Sequence, residues 1–153
     1  MAATRQAQSR RRIRFPSGEA LITVQRVPGE FAEVVYVITA NKQVIYARGR
    51  SRVIYVGRTE AGLQRLCTSA AIRGGKAFSQ KRGIRAIKVW PLTWAQGEDV
   101  GTAKILERAF LLRFREIHGQ IPILNKQGVR MRERDEFDHF RRIAVDRAIS
   151  GFS

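Results

Sequence analysis

The segment 34–65 constrains the fold more than any other part of the chain. It holds three Val/Ile-rich runs, at residues 34–38, 44–47 and 53–56, and each run contains one tyrosine. Ala-Asn-Lys-Gln and Arg-Gly-Arg-Ser separate the runs, and both separators have the composition of turns. The pattern predicts an antiparallel meander of three strands that leads directly into a helix.

The helix after the meander is expected over residues 60–73. Its apolar stripe includes Cys67, which we therefore predict to be a packed core thiol. Gly74 and Gly75 predict the end of the helix. Residues 76–85 then have the composition of a basic loop, which either faces a ligand or is simply solvated.

Three further elements follow from spacing. Alternation over 84–94 predicts a core strand that ends near the sheet edge at Pro91, with Trp90 and Trp94 in core or rim packing. A helix over 102–118 has Thr102 as its predicted N-cap. Its expected buried face consists of Leu106, Phe110, Phe114 and Ile117. A last helix over 133–149 carries an aromatic and alanine stripe that includes Ile143 and Ala144, to be packed on the domain or on another copy.

The net charge favours a polyanionic partner. The 153 residues contain 29 Lys and Arg against 13 Asp and Glu, a balance of +16. Nucleic acid is the simplest such partner, because neutralising phosphates releases counterions. An anionic membrane surface is the other option, but no apolar run approaches a spanning length. We expect DNA as partner and no membrane.

The N-terminal residues 1–30 read as a basic arm. Arg10, Arg11 and Arg12 lie in it, and residues 18–27 form a candidate strand, either an added edge strand or an oligomer contact. A single cysteine excludes an internal disulfide and fits a reducing, intracellular compartment, which for a DNA-binding chain means the cytoplasm and nucleoid.

The residue types available for chemistry are few. The sequence has no His-x-Glu pattern, no Cys or His metal spacing and no Gly-x-Ser-x-Gly, and His118 and His139 are isolated, as surface or capping histidines are. Glu107 borders the apolar face of its helix, where a carboxylate needs a compensating cation or a salt bridge to an arginine of the sheet. One carboxylate with tyrosines and arginines suits a site with one hard cation that keeps several waters.

Four pieces of the chain resemble the GIY-YIG endonuclease family in order and spacing. Ile-Tyr-Val-Gly-Arg-Thr at 54–59, followed by Leu63 and Arg65, is similar to the second half of the family signature, and Val-Val-Tyr at 34–36 is similar to the first half with Val in place of Gly. Glu107 in Ile-Leu-Glu-Arg-Ala-Phe-Leu-Leu resembles the metal-binding glutamate, and Asn125 in Ile-Leu-Asn-Lys resembles the asparagine segment that follows it. The resemblance covers residues 34–126.

The resemblance implies a fold, a reaction and roles. The fold is an α/β (α+β) domain over residues 31–128, with a small central antiparallel three-stranded sheet flanked by helices, and residues 129–153 add a C-terminal helix. The reaction is metal-dependent DNA endonuclease hydrolysis with one Mg²⁺ or Mn²⁺ held by Glu107. Arg65 grips the phosphate, Tyr36 orients or deprotonates the attacking water with help from Tyr55, and Asn125 supports the geometry.

Several points stay open in the sequence. Tyr46 competes with Tyr36 as the tyrosine of the first motif. Arg58 stands where the family often has Lys and would, with Arg65, supply the positive field that a tyrosine base requires. Ser69 replaces the family's histidine one turn after the helix arginine. The expected nucleic-acid surface consists of Arg10, Arg11, Arg12, Arg58, Arg73, Lys76, Lys81 and Arg82.

Two other functions and two properties also remain open. A catalytically silent DNA-binding relative would use the same surface without cleaving, and a basic structural RNA-binding protein would need neither Glu107 nor Asn125. Whether the chain acts in restriction, in repair or in a mobile element is not decided by these residues. A homodimer is the form expected if both DNA strands are cut.

Overall fold

A computed structural model describes residues 33–80, 83–94 and 101–153. Within these ranges three strands form one antiparallel sheet in the order β2-β1-β3, and four helices accompany it. The elements in chain order are β1 (Val34–Ile45), β2 (Arg50–Thr59), α1 (Gly62–Gln80), β3 (Ile87–Leu92), α2 (Thr102–His118), α3 (Glu136–His139) and α4 (Arg142–Phe152). The predicted α+β class with a small antiparallel three-stranded sheet is confirmed.

The predicted three-strand meander is wrong in its connections. The first run and residues 44–45 of the second belong to one strand, β1, which passes through the expected turn at 40–43 with an irregularity before Val44. The third strand of the sheet is β3, paired on the other side of β1. Asn41 explains the continuity: its side-chain Oδ1 accepts hydrogen bonds from the N–H groups of Arg85 and Ala86, at 3.0 and 3.3 Å. A residue typical of turns therefore anchors the approach to β3.

Helix α1 does not end at the predicted glycines. It continues through Gly74 and Gly75 to Gln80, so the first half of the expected basic loop at 76–85 is helical. Gly74 is buried, and a Cβ there would lie 3.0 Å from Cδ1 of Ile87. The glycine thus permits close approach of the helix to β3 instead of capping it.

Cys67 is exposed, so the prediction of a core thiol is wrong. The face of α1 that packs on the sheet carries Leu66, Gly74 and Ala77. Cys67 is one residue beyond Leu66, a rotation of about 100°, which places it at the margin of that face, near the angle of Gly74 and two turns before it along the helix.

The sheet separates two apolar clusters. Val35 and Val37 of β1 pack with α2 and α4, where Phe110 and Phe114 are fully buried. The alternate residues of β1 pack with Ala77 of α1 and Leu124. This alternation follows from the pleat of a strand that is covered on both faces.

Helix α2 occupies the predicted range 102–118, with two local corrections. Its N-cap is Gly101 and Thr102 is the first helical residue, so the predicted cap is displaced by one position. Ile117 is 37% exposed, and the buried end of the helix is formed by His118 instead. His118 packs on the α2 side of the sheet, so the last buried residue of the helix is one position later than predicted.

The predicted C-terminal helix is two helices. Phe140 and Arg141 have extended backbone angles and separate α3 from α4. The break changes the buried face, so Ile143 is 60% exposed and Ala144 is exposed, while Val145 and Ile149 are buried against α2. The arm at 1–30, the candidate strand at 18–27, Lys81 and Arg82 lie outside the described residues. Among the helices that are described, none combines the length and apolar character needed to cross a bilayer.

Candidate active site

The centre of the candidate site is a pair of tyrosines on adjacent strands. The rings of Tyr36 on β1 and Tyr55 on β2 have centroids 6.0 Å apart and are inclined by 39°. Gly57 pairs with Tyr36 across the ladder. A Cβ at Gly57 would lie 2.7 Å from Cε1 of Tyr55 and 2.8 Å from the Tyr36 hydroxyl oxygen. Only glycine lets the two rings meet over the strand.

Helix α1 contacts both tyrosines from one face. The Tyr36 hydroxyl donates a hydrogen bond of 2.6 Å to Oγ of Ser69. The guanidinium carbon of Arg73 lies 4.4 Å from the centroid of the Tyr55 ring, and Nη2 donates a 3.4 Å hydrogen bond to the Tyr55 hydroxyl. Arg65, Ser69 and Arg73 follow one another at intervals of four residues and so share a face of the helix.

Burial raises the pKa of Tyr36 above its ordinary value. The hydrogen bond to Ser69 and the charge of Arg73 act in the opposite direction, whereas the neighbouring Tyr55 adds to the increase. The net direction keeps the phenol protonated at neutral pH. Tyr36 is therefore suited to donate and to transfer a proton, and it is not a resident tyrosinate.

A polar cleft of about 500 Å³ lies where β2 leads into α1, and neither tyrosine is among its lining residues. It begins at the residue after Gly57 and includes the first turn of α1, because the chain turns from β2 into that helix at the cleft. Its wall consists of Arg58, Thr59, Glu60, Ala61, Arg65, Glu107 and Gln127. The structure thus brings Arg65 and Glu107 into one depression. Ser69 follows Arg65 on α1 by one helical turn.

Glu107 is compensated by an arginine of the sheet. Its Oε2 lies 3.2 Å from Nε of Arg58, and the Glu107 side chain is 23% exposed. Burial raises the pKa of Glu107, and the charge and hydrogen bond of Arg58 counteract this. Arg58 also pairs with Glu60. The salt bridge considered from sequence is therefore present. Arg58, to which the resemblance gives part of the positive field at the tyrosines, is engaged by these two carboxylates.

The donor set bears on the predicted metal. Within the described ranges no three His, Cys, Asp or Glu side chains are grouped as metal ligands. Mg²⁺ commonly keeps several waters and takes only one or two carboxylates together with substrate phosphate oxygens. Glu107, half-buried in the wall of a polar cleft that also holds Arg65, fits this sparse form of binding.

Asn125 joins a loop to the edge of β2 that does not pair with β1. Its Oδ1 accepts a 2.9 Å hydrogen bond from the N–H of Val56, and its Nδ2 donates a 2.8 Å bond to the carbonyl of Val56. The N–H of Leu124 donates to the carbonyl of Ile54 at 2.9 Å. The side chain thereby fixes the strand between Tyr55 and Gly57, although it lines neither the cleft nor the tyrosine pair.

Tyr46 lies elsewhere. It is 4% exposed, its hydroxyl donates to the carbonyl of Val53, and its ring meets Phe114 edge-on at 5.1 Å. Burial raises its pKa. The structure places Tyr36, and not Tyr46, beside Tyr55.

The two histidines differ from each other. His118 is 6% exposed, with its ring 4.3 Å from that of Phe114 and 5.5 Å from that of Tyr46, so its prediction as a surface or capping residue is wrong. It is buried because α2 turns its last residue toward the core, and burial lowers its pKa. His139 is exposed and lies 3.8 Å from a carboxylate oxygen of Asp135.

Sequence reasoning missed the contacts that Ser69 and Arg73 make with the tyrosines. Arg73 and Lys76 were expected only on a nucleic-acid surface. The spacing of four residues from Arg65 to Ser69 to Arg73 was a signal for a shared helix face. Comparison of the chain with protein-family models, with curated proteins and with solved structures finds no match.

Proposed function

We propose that this chain is a metal-dependent DNA endonuclease, similar to GIY-YIG enzymes, that hydrolyses phosphodiester bonds with one Mg²⁺ or Mn²⁺. The observation that carries the proposal is the face of α1 that brings Arg65 to the cleft with Glu107 and, one turn later, Ser69 to Tyr36. One face of α1 thereby contributes a guanidinium to the polar cleft that holds the Glu107 carboxylate and, one turn later, a hydroxyl to the Tyr36 phenol.

Arg65 is the phosphate ligand in this proposal. It is exposed in the cleft and forms no ion pair with any described residue, in contrast to Arg58. A planar guanidinium that no described carboxylate engages suits bidentate binding of a phosphate and stabilises the charge that develops in the transition state. Arg58 instead holds the Glu107 carboxylate in place.

Glu107 is the residue that would hold the cation. A cation held there would supply Lewis-acid stabilisation of the charge that develops at the phosphate. Tyr36 orients the attacking water by hydrogen bonding, and Tyr55 with Arg73 fixes the Tyr36 ring. The high overall charge of +16 attracts DNA to the cleft. Cutting of both strands by such a chain requires two copies or two successive nicks.

The test is cleavage of supercoiled plasmid with Mg²⁺, Mn²⁺ or EDTA. Glu107→Gln should abolish metal-dependent nicking, because a neutral amide is a poor ligand for a hard cation. Glu116→Gln is the matched control: Glu116 lies on the same helix and pairs with Arg113 at its exposed side. Equal nicking by wild type and Glu107→Gln would refute the assignment of Glu107.

A silent DNA-binding module is the second candidate. The salt bridge between Arg58 and Glu107 favours it, since a carboxylate that is already compensated binds a cation less readily. This candidate predicts salt-dependent DNA binding by wild type with no cleavage even in Mn²⁺. In that case Arg65→Gln should weaken binding, whereas Glu107→Gln should leave it unchanged.

A further inference from the structure

The hydroxyl of Ser69 is used differently from the other hydroxyls of α1. Thr68 donates to the carbonyl of Gln64, and Ser79 donates to the carbonyl of Lys76, so both are bonded to their own helix. Oγ of Ser69 instead accepts the proton of the Tyr36 hydroxyl at 2.6 Å, across the interface between helix and sheet.

Tyr36 needs such a partner to exchange a proton. Tyr36 is only 3% exposed, whereas Ser69 is half-buried. A protonated phenol can accept a proton from water only if it releases its own at the same time. Among the described residues, Oγ of Ser69 accepts the proton of the Tyr36 hydroxyl at 2.6 Å.

We propose that Ser69 is a proton relay, which passes the proton of the attacking water from Tyr36 to solvent. The proposal rests on the proposed nuclease function. The water oxygen forms its bond to phosphorus as one O–H bond of the water breaks and that proton moves to the Tyr36 oxygen. The phenolic proton moves to Oγ of Ser69, and the Ser69 hydroxyl proton moves to solvent. Tyr36 and Ser69 end as they began, and the water has lost one proton.

Arg73 completes the electrostatics of this relay. Its guanidinium lies against Tyr55 and opposes the increase in the pKa of Tyr36 that burial causes. Negative charge that develops on the Tyr36 oxygen during the transfer is therefore partly balanced. The relay never requires a stable tyrosinate, which agrees with the direction of the pKa shift.

The test compares single-turnover cleavage by wild type, Ser69→Ala, Ser69→Thr and the control Ser79→Ala. General acid–base groups contribute at least about 10²-fold to rate, so Ser69→Ala should lose about that factor in rate with little change in DNA affinity. Ser69→Thr keeps a hydroxyl at the same position and should retain most of the rate. Ser79→Ala should behave as wild type.

The solvent deuterium dependence gives a second readout. Wild-type cleavage in mixtures of H₂O and D₂O should show a curved dependence, because more than one proton moves, and Ser69→Ala should show a smaller isotope effect. Ultraviolet titration of the tyrosines should show a higher pKa for Tyr36 in Ser69→Ala, since the hydrogen bond that lowers it is lost.

The possible failures are distinct. A folded Ser69→Ala variant that cleaves at the wild-type rate overturns the relay and leaves the nuclease function intact. A wild type that binds DNA but cleaves nothing in Mg²⁺ or Mn²⁺ overturns the nuclease function, and the relay with it. A loss of rate in Ser69→Ala that Ser69→Thr shares in full, with linear isotope dependence in wild type, also overturns the relay.

Discussion

Replacement of Gly57 by alanine probes the packing on which the candidate site depends. The added Cβ would lie 2.7 Å from Cε1 of Tyr55 and 2.8 Å from the hydroxyl oxygen of Tyr36. Both distances are below van der Waals contact, so at least one ring must move. Tyr36 is held by Ser69 and the Tyr55 ring by Arg73, which makes both movements costly.

The expected change in the free energy of unfolding of Gly57→Ala has three contributions. Overpacking of a well-packed site costs about 1–3 kcal/mol. Loss of the hydrogen bond between Tyr36 and Ser69 adds about 1 kcal/mol. Replacing glycine in a strand returns about 0.5–1 kcal/mol of conformational entropy. The free energy of unfolding should therefore fall by about 1–3 kcal/mol, and Tm by roughly 3–10 °C for a chain of this size.

The assay is urea denaturation of wild type, Gly57→Ala and the control Gly75→Ala. Gly75 is exposed within α1, and a Cβ there would meet nothing within 4 Å. Gly75→Ala should stabilise the chain by about 0.5–1 kcal/mol, because alanine favours a helix interior. If Gly57→Ala were stabilised as much as Gly75→Ala, the tyrosine rings would not be fixed as described, and the reasoning would be refuted.

Two further predictions concern the surroundings of the site. Asn125→Ala leaves the N–H and carbonyl of Val56 without their side-chain partners. In urea denaturation it should lower the free energy of unfolding by about 2–4 kcal/mol. The control Gln120→Ala, at an exposed residue, should change that free energy by less than about 0.5 kcal/mol. Burial lowers the pKa of His118, so the unfolded chain binds its proton more readily. Stability should decrease as pH falls below the ordinary histidine value of about 6.5, by at most about 1.4 kcal/mol per pH unit. His118→Leu should flatten this decrease between pH 7 and 5, and an unchanged slope would assign it to other groups.

The candidate site could be predicted in part because its residues lie in short local motifs. Tyr55, Gly57 and Arg65 are close in the sequence, and the turn from β2 into α1 keeps them close in space. Glu107 was identifiable because a carboxylate beside an apolar helix face requires compensation. Which arginine of the sheet would pair with it could not be predicted, because the pairing of α2 with Arg58 depends on how the helix crosses the sheet.

Position along the sequence did not predict which groups touch the tyrosines. Ser69 and Arg73 meet Tyr36 and Tyr55 only because α1 continues past its glycines and lies across the sheet. Gly74 lets α1 lie close to β3, because it has no side chain at the contact. The sequence around Gly74 and Gly75 does not show that a distant strand will pack there. Tertiary packing therefore overrode the local signal for a helix end.

The sequence by itself determined the class of the fold, the position of α2 and the excess of positive charge, since each depends on local periodicity or on composition. Tertiary structure alone decided that β1 is one strand, that Tyr46 is a core residue and that Tyr36 is the neighbour of Tyr55. The physical reason is that strand pairing and burial are set by contacts between distant residues. A turn-like residue such as Asn41 stays inside a strand when its side chain anchors the partner strand.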